Sequence, residues 1–176
     1  IRRAPELASF FYDLPKNEEH EWVNDLRMRA ELDFSDATVC ILDTGLNDMH
    51  PLLDYATEAE FVQSVEPSWG SDDHDGHGTE MAGIALYENL MDKLISPDQF
   101  TIRHRLESVK ILPPTGENDP KLYGDITQRA VFTAELSNPH AKRAICMAVT
   151  SDKYNTEDGS PTSWSGAIDN IAAGVL

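Results

Sequence analysis

No lysine or arginine occurs between Ala37 and Leu86, yet ten acidic residues do, so this window alone carries −10 of a net charge of −17. With 14 basic against 31 acidic side chains, the chain repels phosphate backbones and anionic lipid surfaces. General nucleic-acid binding and charge-driven membrane attachment are therefore excluded. Long apolar runs are missing as well, and none reaches the roughly 18 residues of a spanning helix. Cysteine is scarce: Cys40 and Cys146 are the two present, each inside an apolar run. Such a pair suits buried free thiols better than a disulfide framework and leans towards a reducing, cytoplasmic compartment. No signal peptide is visible, and a start at Ile1 leaves the native beginning of the protein open. Ten glycines and ten prolines in 176 residues exclude fibrous and low-complexity chains. What remains is one ordinary domain with a sizeable core.

The remaining charge is spread thinly, with −4 over residues 1–36, balance over 87–112 and −3 over 113–176. The acidic window is thus either a solvated face that aids solubility or a negative site that attracts metal ions or basic peptides.

Residues 1–36 read as a helical extension. Asn17 can cap a helix whose first turn holds Glu18, Glu19 and Glu21, and Trp22 or Val23, Leu26 and Ala30 share one face. Ala37–Leu42 is a β-branched, apolar run without polar alternation, as expected of a strand buried on both faces of a parallel sheet. It stops at Asp43-Thr44-Gly45, which places Asp43 at the carboxyl end of a buried strand, where open α/β sheets build their sites. An irregular acidic stretch follows. His77 then stands between Gly76 and Gly78 at the start of a small, apolar helix. Strands are expected at Val109–Leu112 and Ala144–Val149, with helices at 125–136 and from Ser160-Pro161 onward. The alternation implies an α/β fold, a three-layer parallel sheet with helices on both faces. Asn170–Leu176 reads as a helix end leading towards a further strand, so a truncated domain is expected over 37–176.

Val39-Cys40-Ile41-Leu42-Asp43-Thr44-Gly45-Leu46, followed by His50-Pro51-Leu52, resembles the first signature of subtilisin-like serine peptidases. Gly76-His77-Gly78-Thr79-Glu80-Met81-Ala82-Gly83 resembles their histidine signature, Val109–Leu112 resembles the strand that follows it in the family, and Met147–Val149 resembles the family's substrate-flanking strand. The resemblance implies a serine endopeptidase in which Asp43 orients His77 and His77 is the general base. The chemistry is consistent: a serine hydroxyl needs a base near neutral pH, and the base needs a buried carboxylate to hold its tautomer. It also implies a peptide or protein substrate clasped by two backbone segments, assigned here to Leu112, Pro113 and the adjoining Pro114, and to Ala148, Val149 and Thr150. No cofactor is implied. Leu52 stands where many relatives carry an acidic calcium ligand, and no metal ligand is assigned.

The family's nucleophile signature, Gly-Thr-Ser before small residues, has no counterpart in this sequence. The nearest segment, Gly159–Ser165, puts Trp164 directly after Ser163, and Ser163 reads as a helix-terminus residue. The nucleophilic serine and the oxyanion-hole asparagine are therefore expected in the remainder of the polypeptide, since Asn155 and Asn170 do not align with the latter. These 176 residues alone are expected to be inactive. Two other readings stay open. One is a catalytically dead subtilisin-like module used for protein binding. The other is a metal-dependent hydrolase drawing on Asp72, Asp73, His74, Asp75 and His77, whose spacing follows no recognised metal pattern.

Overall fold

The computed structural model describes residues 15–151 and 159–175. Helix α1 (Lys16–Arg29) opens after Pro15, whose carbonyl accepts from Glu18 and Glu19; Asn17 lies within the first turn instead of capping it. Leu26 is fully buried, with Trp22, Val23 and Ala30 packed around it as the spacing predicted. The helix runs into β1 (Ala30–Leu32), which pairs in parallel with β4 (Phe100–Ile102) as a small sheet of its own.

Four parallel strands make the main sheet: β2 (Ala37–Asp43), β3 (Thr57–Ser64), β5 (Arg105–Lys110) and β6 (Lys142–Cys146), in the order β3-β5-β2-β6. Successive residues of β2 feed opposite cores, as the two-residue strand period requires. Ile41 packs with Leu46, Leu106, Ala82 and Leu86 beneath α1, α2 (His77–Tyr87) and α3 (Leu90–Ile95). Cys40 and Leu42 join Val109, Ile126, Ala130, Val131 and Ala134 beneath α4 (Tyr123–Ser137), with Ile171 of α5 (Ser163–Ala172) against them. Helices therefore cover both faces, and the three-layer expectation holds.

Several expectations need correction. The strand placed at Val109–Leu112 runs over Arg105–Lys110, because the N–H groups of Ile111 and Leu112 both turn onto the Asp43 carbonyl and end the ladder. The acidic stretch contains β3, an edge strand whose Glu58 and Glu60 face solvent. The strand placed at Ala144–Val149 is β6, ending at Cys146. It pairs only with β2 among the described residues, so Ile145 is 43% exposed and Cys146 is only half-buried, unlike Cys40. Helix α5 starts at Ser163, with Thr162 and Ser165 forming a reciprocal capping box. Asn155 lies outside the described residues.

Candidate active site

Asp43 closes β2 and has no solvent exposure. Its Oδ1 accepts the Thr44 N–H at 2.8 Å, which fixes the carboxylate plane. His77 is the first residue of α2, and its Nδ1 lies 2.9 Å from Asp43 Oδ1 and 3.0 Å from Oδ2. That geometry assigns the proton to Nδ1 and leaves Nε2 bare, on a side chain 43% exposed. The hydrogen bond to Asp43 lifts the imidazole above its ordinary pKa; slight burial opposes the shift, and the charges of Asp43, Glu80 and Asp75 add to it.

Glycine makes this approach possible. A Cβ on Gly78 would stand 2.1 Å from the Gly45 carbonyl oxygen and 3.3 Å from Asp43 Cβ, so the first turn of α2 rests directly on the Asp43-Thr44-Gly45 turn. Gly76, at the N-cap, holds φ at 98°, a left-handed conformation that a side chain would strain. Both bracketing glycines thus have the steric role that their positions suggested.

A third group, Asp73, locks the assembly. Its Oδ1 accepts from Thr44 Oγ1 at 2.7 Å and from the backbone N–H groups of Asp75 and Gly76 at 3.1 and 2.9 Å. Its Oδ2 accepts from the N–H and Oγ1 of Thr79 at 2.8 and 2.6 Å. Thr44 Oγ1 in turn accepts the Gly78 N–H at 3.0 Å. Burial works against the charge on Asp73, but the donors of Thr79, Gly76 and Thr44 together outweigh it and hold the carboxyl well below the usual carboxylate range. Asp73 and Thr44 are the residues that the sequence reading missed as positioning groups. The available signal was an acid four residues before the helix start, with a threonine two residues after it, able to satisfy the first-turn N–H groups.

The other nearby candidates separate cleanly. His74 Nδ1 donates to the Thr44 carbonyl at 3.0 Å, and Asp73 is committed to its five donors. Among the described residues no three His, Cys, Asp or Glu side chains converge as a metal site. His50 accepts the Leu52 N–H at Nδ1, 3.2 Å away, and burial lowers its pKa, as in a structural His-Pro turn. Ser163 begins α5 and packs beside Gly124 of α4, on the face of the sheet opposite α2. Asn170 also lies in α5, exposed.

Beside Thr44 and His74 opens a cavity of about 440 Å³. Leu112 and Pro113 line one part and Val149 and Thr150 another; Ala148 does not reach it. Tyr123, Ile126 and Trp164 complete an apolar wall. The Trp164 indole is fixed by its Nε1–H bond to Thr127 Oγ1 at 2.9 Å and by edge-on contact with Tyr123.

Comparison with curated proteins and with solved structures gave no match. The sequence model of the Subtilase family, the S8 peptidases, matches residues 35–176, from two residues before β2 through α5. That span takes in the whole main sheet together with Asp43 and His77, and the chain belongs to the subtilase family.

Proposed function

We propose that this chain supplies the acid–base half of a serine endopeptidase, with the nucleophilic serine contributed by polypeptide outside the 176 residues. Membership of the family makes it a hydrolase of the serine-peptidase type. The observation that carries the finer reading is the contact of His77 Nδ1 with both oxygens of a fully buried carboxylate. In the proposed reaction, His77 Nε2 takes the serine Oγ proton as Oγ attacks the scissile carbonyl. Asp43 stabilises the imidazolium that forms, and the same proton then passes to the leaving amine. The substrate backbone lies in the cavity between Leu112-Pro113 and Val149-Thr150, with Ala148 on the same segment. Pro113 and Pro114 have no N–H, so their stretch of the clasp can offer only carbonyls. The acidic window from Ala37 to Leu86 surrounds the dyad and favours peptides with Lys or Arg near the cleaved bond.

An active-site-directed fluorophosphonate with mass-spectrometric mapping tests this reading. The polypeptide carrying the full domain should be labelled at one serine beyond residue 176, and His77→Ala should suppress the reaction. The 176 residues alone should not react, since they lack both nucleophile and oxyanion donor, and loss of such a donor costs about 100- to 1,000-fold by itself. An unlabelled full domain would favour a dead module that binds proteins without cleaving them. Labelling of Ser163 would overturn the assignment.

A further inference from the structure

Lys110 is 1% exposed at the end of β5, directly across the ladder from Asp43. An ammonium buried in this way is costly unless its donors find acceptors. No carboxylate among the described residues lies within ion-pair distance of it. Its Nζ donates instead to two backbone carbonyls, Asp72 at 2.7 Å and Trp69 at 3.4 Å. Both belong to the segment that leads from the turn at Pro67–Trp69 into Asp73. The same segment presses on the catalytic turn. The Ser71 carbonyl accepts the Leu46 N–H at 3.1 Å, and a Cβ on Gly45 would stand 2.6 Å from the carbonyl oxygens of Ser71 and Asp72. Asp73 then ties Thr44 to the first turn of α2.

We infer that Lys110 is a positioning residue for the dyad: its ammonium clamps the Trp69 and Asp72 carbonyls and so holds Asp73 where it locks Thr44 and α2 around Asp43. The inference rests on the peptidase reading of Asp43 and His77. Removing the ammonium strands two inward-pointing carbonyls, which recover partners only if the segment lifts away from Gly45. Lifting withdraws Asp73 from Thr79 and Thr44, and His77 then loses its register with Asp43. The charged groups facing His77 are Asp43 of β2, Asp75 of the preceding loop and Glu80 of α2, and none of them is altered by a change at Lys110.

The test is a pH titration of ¹⁵N-labelled histidines in the intact chain, with the His77 signal identified through His77→Gln. In the wild type His77 should titrate above an ordinary histidine. Lys110→Met, checked for a cooperative melt, should bring the midpoint down towards the ordinary histidine value. Lys110→Arg should recover most of that difference. A folded Lys110→Met chain with an unchanged His77 midpoint would overturn the clamp alone. If Lys110→Met does not fold, Lys110→Gln is read in its place, and failure of both to fold would make the lysine a core residue and remove the proposal. A wild-type His77 that titrates as an ordinary histidine would remove the Asp43–His77 pair, and the clamp with it.

Discussion

Asp43 and Glu107 stand on neighbouring strands of one sheet, both buried, and they serve opposite ends. Glu107, one residue into the ladder from Leu106, accepts from Arg143 Nε at 2.6 Å and from Asn138 Nδ2 at 2.7 Å. Arg143 Nη2 reaches Glu107 again and also bonds the carbonyls of Ala134 and Asn138. Its side chain is 9% exposed, and its charge is permanent. Asp43 faces an imidazole that is 43% exposed and can gain or lose a proton. Two carboxylates with the same burial are thus distinguished by their partners. A closed, permanently charged partner makes a strut between β5, β6 and the α4–β6 turn. An open, titratable partner leaves a pair that can take up and release a proton, as the proposed reaction requires.

Three experiments put that contrast under strain. Asp43→Asn should have the largest effect, about a 10⁴-fold loss in peptide hydrolysis by the complete domain, because the amide no longer holds the Nδ1–H tautomer. Its unfolding free energy in denaturant should change far less than its rate. Glu107→Ala should behave in reverse. Stranding the buried Arg143 should destabilise the fold by about 3–5 kcal/mol in denaturant unfolding, while the folded fraction reacts with fluorophosphonate at the wild-type rate. If either substitution produced the other's phenotype, the distinction would fail.

The smallest effect is in pH dependence. The folded-state pKa of His77 is raised, so protonation of His77 contributes stability that is fully present below the ordinary histidine value of about 6.5. That contribution is lost as pH rises through the folded value. Melting temperatures of wild type and His77→Gln should therefore differ most at mildly acidic pH and converge in the alkaline range, modestly because the ring is well solvated. Asp73 works with the opposite sign. Its depressed pKa gives stability above the ordinary carboxylate range that is lost progressively on acidification, and Asp73→Asn should blunt that acid limb.

How much of this was legible in the sequence follows from which residues announce themselves. β2 was plain because its apolar run is buried on both faces, and α2 was plain because glycines bracket a histidine before small apolar residues. β5 was half hidden, since Glu107 and Lys110 look like surface residues until Arg143 and the 69–72 carbonyls are seen to satisfy them. β3 was hidden altogether, because an edge strand with acidic residues on its open side has the composition of a loop. β6 was overextended, as its apolar letters imply cover that the described residues do not provide. The dyad itself could be placed by its motif. The Asp73 network could not, because its logic lies in contacts between residues 44, 73, 78 and 79 that only folding brings together.

The tautomer of neutral His77 decides whether Nε2 can act as a base, and ¹⁵N chemical shifts read it without any substrate. At a pH above its titration, Nδ1 should carry the proton, bonded to Asp43, and Nε2 should be unprotonated and free to accept a serine proton. A proton found on Nε2 would contradict this, because Nε2 could then take no proton from a serine and the Asp43 carboxylate would face a bare Nδ1.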